Sequence, residues 1–533
     1  MTRVTPTLRI ARTSAAVLAF VLLVLGAFAG TAVPAQADSY EPITGAGSTW
    51  SQNAIDQWRK TVQDNYSMSV NYNGLGSSAG RREFINQTVD FAVSEIPFQT
   101  NPEDGSPPEV PTSGYAYMPI VAGGTAFMYN VKINGKQVTN LRLSGEVITK
   151  IFTNVITNWN DPAIQADNPG LTMPDKPIVP VVRSDGSGST AQFTLWMSKQ
   201  YPSLWSAYQP SGLMTSQYVV KGSMKAQNGS LGVAGYVSQS YGEGAITYVE
   251  YSYALNSGFP VAKVLNNAGY YIEPTESSVA VALTQAQIDT DPSPDRYLTQ
   301  ILDNVYNSSD PRTYPLSSYS YMIIPTTTNK VFTEKKGATL GTFARYMLCE
   351  GQSVAGALGY SALPLNLVEA GSEQISKIPG AGGTGIDVST CKNPNIGADG
   401  SSVLAANAPQ PEACDQKGPT QCAKGTAGAA ATPTETANAP DAATAAAAGA
   451  AAAAGTAAGA ATSGAAAVYD ENGALVSGGS SVGGAAVSSP FSLPDSGLGP
   501  EQVLMIAAGV LLIVVIVVPP LASRRIKRAG RDS

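Results

Sequence analysis

Between residues 38 and about 395, apolar runs of strand length alternate with stretches of helical periodicity, and that alternation limits this part of the chain to an α/β fold. Met68 to Tyr72, Phe91 to Val93, Ile178 to Val182, Ala245 to Val249 and Tyr321 to Pro325 read as strands, and Trp50 to Val62 as an amphipathic helix. The region is long enough for two lobes, and open sheets of this kind gather ligands at the C-terminal ends of their strands.

The most informative turn is Val181-Val182-Arg183-Ser184-Asp185-Gly186-Ser187-Gly188-Ser189-Thr190. A buried strand precedes it and Ala191 to Lys199 reads as the start of a helix, so the Ser/Gly cluster falls at a strand-to-helix junction. Helix N-termini expose unpaired N–H donors and the positive end of the dipole, and glycine lets the backbone come close to a ligand. Arg183 adds a guanidinium suited to bidentate, charge-assisted bonds. Such a turn can hold a bare oxyanion; a plain Gly/Ser turn capped by Asp185 is the structural alternative.

The chain has no histidine among its 533 residues. Ser-His-Asp triads, Cys-His dyads and histidine-ligated zinc are therefore excluded. Gly76-Ser77-Ser78-Ala79-Gly80 matches the nucleophile-elbow pattern only formally, because no histidine base can serve Ser78. The overlapping match to a dinucleotide fingerprint lacks its acidic residue in a strand context. The chain is not expected to be an enzyme, to carry a cofactor or to bind a metal. The formal net charge of −7 and the lack of a basic patch outside the extreme C-terminus point away from nucleic acid.

Arg3, Arg9 and Arg12 precede the apolar stretch Ala15 to Ala29, and Ala35-Gln36-Ala37 offers a small-x-small cleavage site, so residues 1–37 read as a secretory signal peptide. Residues 502–523 are apolar and uncharged, long enough to span a bilayer, and the basic residues of 524–533 should stay in the cytoplasm. Leu493-Pro494-Asp495-Ser496-Gly497, within the juxtamembrane segment 491–501, resembles the LPxTG sorting signal of Gram-positive surface proteins with Ser496 in place of Thr. A sortase is thus one candidate partner and cell-wall attachment one candidate fate, beside simple membrane anchoring through the C-terminal helix.

Residues 396–490 shift to Ala, Gly, Thr, Ser and Pro and lack the large apolar side chains of a core. They are expected to form a flexible linker, holding the body on the order of 50 to 60 Å from its anchor. Val468 to Val476, around Glu471-Asn472-Gly473, can form a marginal hairpin. Four cysteines lie in the exported part, where disulfides persist, and proximity along the chain favours Cys349 with Cys391 and Cys414 with Cys422.

Several motifs in order resemble the phosphate-binding proteins of Pst-type ABC importers. They are Gly45-Ala46-Gly47-Ser48-Thr49-Trp50, Val70 to Gly80, Thr88 to Glu95, Trp159 to Ile164, Asn168-Pro169-Gly170-Leu171, Arg183 to Ser189 and Gly244 to Tyr251. The resemblance covers most of residues 40–370. It implies a type II periplasmic-binding-protein fold in which two lobes, joined by a hinge, close on one phosphate. Lobe one would comprise 38–129 plus 318–395, and lobe two 130–317. The implied partners are inorganic phosphate and the membrane subunits of an ABC permease.

Carried over residue by residue, the resemblance makes the Thr49 hydroxyl, the Trp50 backbone N–H, the Ser77 hydroxyl and the Arg183 guanidinium donors to phosphate, with Ser187, Gly188 and Ser189 at the helix start. Asp185 would orient Arg183. Glu95 departs from the family, which normally places an aspartate there to accept the proton of hydrogen phosphate and so reject sulfate. Glutamate keeps the charge on a longer arm. It can accept the same proton or pair with Arg183 and change selectivity. The functions implied are phosphate capture for an importer or, as the alternative, surface adhesion or sensing with the same fold and altered anion specificity.

Overall fold

The computed structural model describes residues 40–437, apart from 101, 103, 104 and 294, and a strand pair at 468–469 and 475–477. The described residues all lie in the first of two units into which the chain divides, Met1–Ser480 and Ser481–Ser533. The expected signal peptide, sorting-like segment, apolar span and basic tail lie outside them. Among the described residues no helix is long and apolar enough to cross a membrane.

The chain opens with β1 (Ile43–Gly47), α1 (Gln52–Tyr66), β2 (Val70–Asn73), α2 (Ser77–Ile85) and β3 (Phe91–Ser94). Helix α1 buries Ala54, Ile55, Trp58 and Val62, which recur on one face at helical spacing. The 15-residue strand β4 (Tyr115–Tyr129) is followed in the second half of the molecule by β5 (Val179–Arg183), α3 (Gly188–Gln200), β6 (Lys225–Gln227) and α4 (Gly229–Ser238). Then come β7 (Ala245–Glu250), α5 (Tyr251–Ser257), β8 (Val261–Leu265), α6 (Glu276–Leu283), β9 (Ser317–Pro325) and α7 (Glu334–Leu348).

The main sheet runs β2-β1-β3-β9-β4-β7-β5-β6, with β8 also paired to β4. The β1/β2, β1/β3, β5/β7 and β5/β6 pairs are parallel. Strand β4 binds the halves together: Tyr115 to Gly124 pair with β9 and Thr125 to Tyr129 with β7. Every residue of β3, β7 and β9 is buried, as expected for strands covered on both faces.

Two cores lie on either side of this crossing. The first packs Trp50, Trp58, Phe91 and Met118 with Tyr321, Phe343 and Leu363. The second packs Phe127, Phe152, Trp159, Phe193, Trp196 and Tyr248. Trp159, one of the resemblance motifs, is fully buried with its indole N–H donating to the Gly244 carbonyl at 3.0 Å, so its part is to hold the second lobe together. The fold is therefore α/β and two-lobed.

The linker expected from residue 396 does not begin there. Residues 396–437 pack on the body, and the reason is hydrogen bonding where side chains are too small to make a core. The Cys349–Cys391 disulfide ties the chain just ahead of this segment to the end of α7, and α8 (Val403–Ala406) with Ala408 packs on α6, while Arg312 Nη1 donates to the Ala405 carbonyl at 3.0 Å. The chain then crosses to the second lobe. There the Cys414–Cys422 loop is met by Arg142 Nη1, which donates to the carbonyls of Cys414 (3.0 Å) and Thr420 (2.9 Å), and by a buried Lys263–Asp415 ion pair at 2.6 Å. Asn140 Nδ2 donates to the Cys422 carbonyl at 2.7 Å, Thr426 Oγ1 to the Val261 carbonyl at 2.6 Å, and Ala437 N to the Gly170 carbonyl at 2.9 Å. The segment is a strap over both lobes. Both disulfides join the pairs favoured by sequence proximity. Farther along, Val468–Tyr469 and Leu475–Ser477 form the expected antiparallel pair.

Candidate functional site

The loops that follow β1, β2, β3, β5 and β6 meet between the two cores. Arg183 ends β5 with its side chain 2% exposed. Its Nε donates to Asp185 Oδ1 at 2.7 Å, its Nη2 to Asp185 Oδ2, and its Nη1 to Ser230 Oγ at 3.4 Å. Burial works against an ionised Asp185, but the Arg183 hydrogen bonds and charge, with the Gly229 N–H at 2.9 Å, outweigh it and hold the carboxyl below its ordinary range. Arg183 is thereby held in a set orientation. Burial pushes the neighbouring Tyr248 phenol up to about 12, so it stays protonated beside Thr190 Oγ1 at 2.7 Å.

Thr49 lies across the cleft from Ser230. The Ser230 N–H donates to Thr49 Oγ1 at 3.0 Å and the two hydroxyls are 2.9 Å apart. The Trp50 N–H donates to Ser48 Oγ at 3.0 Å. Ser187 N-caps α3, its hydroxyl accepting from the Thr190 N–H at 3.2 Å, while its own N–H donates to the Ser216 carbonyl at 3.0 Å. Gly188 and Ser189 are the first two residues of α3, where N–H groups have no intrahelical partner. Ser189 Oγ is buried without a hydrogen-bond partner among the described residues.

Glu95 follows β3 and is 1% exposed. Its Oε2 accepts from Ser77 Oγ at 2.7 Å, and its Oε1 from Ser48 Oγ and from Ser320 Oγ, the latter at 2.8 Å. Its partners are these hydroxyls, while Arg183 pairs with Asp185; the alternative of a Glu95–Arg183 pair is not the arrangement found. Oε2 faces the start of α3: a Cβ at Gly188 would stand 1.9 Å from it and 2.8 Å from Ser77 Oγ. Gly76, at φ +88°, is equally constrained, since a Cβ there would lie 2.3 Å from Asp185 Oδ2.

Thr49, Trp50, Ser77, Glu95, Arg183, Ser187, Gly188 and Ser189 thus occupy one buried region with Asp185 beside it. Ser48, Ser230 and Ser320 belong to the same network and were not singled out by sequence. Ser48 carried a signal, since it directly precedes Thr49 in a Gly-rich junction; three serines inside the otherwise apolar strand β9 were another, because buried hydroxyls need partners. Ser230 had none.

A two-lobed α/β architecture with a guanidinium, hydroxyls and a helix N-terminus converging between the lobes defines a solute-binding class. Residues 32–350 match the family model described as the PBP superfamily domain. The chain is 32% identical over 327 residues to the phosphate-binding protein PstS of Xylella fastidiosa, covering 61% of this chain and 83% of that one. It is 30% identical over 336 residues to PstS of Pasteurella multocida, covering 62% and 88%. A solved phosphate-binding protein from Stenotrophomonas maltophilia aligns with a TM-score of 0.48 at 17% identity, covering 64% of this chain and 98% of that one. The chain belongs to the PBP superfamily and, within it, to the family of Pst-type phosphate-binding proteins.

Proposed function

We propose that this protein is an extracytoplasmic solute-binding protein that captures inorganic phosphate between its lobes and delivers it to an ABC importer, without covalent chemistry. The observation that carries the reading is the gathering, in one buried region around the start of α3, of Arg183 fixed by Asp185 and of the Glu95 carboxylate held by hydroxyls. Donors alone would suit any tetrahedral oxyanion. A carboxylate among them suits one that carries a proton, because an unprotonated oxygen facing Glu95 meets repulsion and no hydrogen bond.

In this reading Thr49, Arg183, Ser187, Gly188 and Ser189 donate to phosphate, Ser77 turns its one hydroxyl hydrogen from Glu95 to the ligand, and Glu95 accepts the ligand's proton. The Trp50 N–H joins them by exchanging its bond to Ser48 for one to the ligand. The lobes divide near residues 129 and 318. The chain is exported under residues 1–37 and held at the outer face of the cell membrane by residues 502–523, with the basic tail inside. Resistance of the full chain to alkaline extraction from membranes, lost when residues 502–533 are removed, tests the anchor.

The test of function is calorimetric titration of the purified full chain, stripped of anion by partial unfolding, with phosphate and sulfate near neutral pH. Phosphate should bind with a Kd of ~1 μM or tighter, about 8 kcal/mol, and sulfate far more weakly. A folded chain indifferent to both anions would overturn the reading in favour of surface adhesion or sensing.

A further inference from the structure

Among the described residues the Glu95 carboxylate accepts from hydroxyls, and its two oxygens are used differently. Oε1 accepts from both Ser48 and Ser320, whereas Oε2 accepts from Ser77 and faces Gly188. A carboxylate oxygen offers about two lone-pair sites. Oε1 is therefore saturated on the side away from α3, and Oε2 keeps one site for a ligand. The Ser48 oxygen accepts from the Trp50 N–H at 3.0 Å and is 3.4 Å from the Ser51 N–H, which turns its hydrogen toward Oε1 in this arrangement; the Ser51 N–H remains beside it when the Trp50 N–H goes to the ligand. Ser320 sits where the register between β9 and β4 shifts, between Ser320 and Tyr321. Such irregularities re-aim side chains beside functional sites.

We propose that Ser48 and Ser320 are positioning residues that clamp Glu95 and so set the discrimination between protonated and unprotonated tetrahedral oxyanions; this rests on the phosphate reading above. The longer arm of glutamate makes a clamp necessary. Released from Oε1, the carboxylate can swing toward the N-terminus of α3, where the dipole and free N–H groups attract an anion. It then competes with the ligand for those donors and no longer presents a fixed acceptor.

The experiment compares phosphate and sulfate affinities of the full-length wild type, Ser320→Ala, the double variant Ser48→Ala/Ser320→Ala, Ser320→Thr and Glu95→Gln, with thermal unfolding of each as the check on folding. Ser320→Ala should lower the phosphate-to-sulfate affinity ratio roughly tenfold or more, the double variant should approach Glu95→Gln, and Ser320→Thr, which keeps the hydroxyl, should recover most of the ratio. Ser320→Cys, similar in volume but a weak donor, gives the same reading if the alanine variant is unstable. Folded Ser320→Ala and double variants with the wild-type ratio would overturn the clamp alone. A wild type that binds no phosphate would overturn the phosphate reading and the clamp with it.

Discussion

Arg183 and Asp185 stand two positions apart and leave water together, so each is costly to remove alone. Truncating one partner of a buried charge pair costs about 2 to 5 kcal/mol. Arg183→Ala should therefore weaken phosphate binding by roughly 30-fold or more, read by calorimetry, and unchanged affinity would remove Arg183 from the site. Glu250 shows the opposite electrostatics. Burial raises its carboxyl well above the ordinary range; Oε2 accepts from the Ser252 N–H at 2.8 Å and Oε1 has no hydrogen-bond partner among the described residues. A raised carboxyl contributes stability below its unfolded pKa and loses it as pH rises through the folded value. Thermal unfolding from about pH 5 to about pH 8 should show a falling Tm in the wild type and a flatter profile in Glu250→Gln. At this scale the local chemistry of the turn pointed to Arg183, whereas Glu95 was singled out only through the family resemblance. The partners of Glu95 and Thr49 stayed hidden because Ser320 and Ser230 lie 225 and 181 residues away along the chain.

Helix α3 begins where two side chains from the other lobe already crowd its first residue. Gly188→Ala would push a Cβ into Glu95 Oε2 while alanine remains a good helix former. Phosphate affinity should fall at least about tenfold and the overpacking should lower Tm by a few degrees; calorimetry and thermal unfolding on one preparation check both, and an unaltered affinity would show that ligand does not approach this turn. Ser187→Ala, which deletes the N-cap, should cost about 1 kcal/mol of stability. The strand-turn-helix at 178–200 was legible because apolar periodicity and turn chemistry coincide there. Strand β4 was not, since Gly123 and Gly124 interrupt its apolar pattern. Those glycines are needed where the halves join: a Cβ at Gly123 would lie 2.8 Å from the Trp50 ring, and one at Gly124 2.4 Å from Pro274.

For the molecule as a whole, composition alone misjudged residues 396–437. Small residues cannot build a core, but they can lend backbone carbonyls to buried Arg142 and Asn140 and to half-buried Arg312, and two disulfides hold the path. Neither contribution registers in a count of large apolar side chains. Lys263→Met would leave Asp415 buried without its cation, at a cost of about 3 to 5 kcal/mol. Limited proteolysis should then cut within 412–437 at protease levels that leave the wild-type strap intact. The two-lobed plan itself was legible, because motifs at strand ends recur in order through most of residues 40–370. The strap also bears on how the lobes can part. Strand β1 belongs to the lobe of Thr49 and Glu95, while the last hydrogen bond described for the strap, from the Ala437 N–H to the Gly170 carbonyl, is made on the lobe of Arg183. Because the strap is bonded to both lobes, through Arg312 on one side and Arg142 on the other, any change in the spacing of the lobes must be taken up by the strap as well.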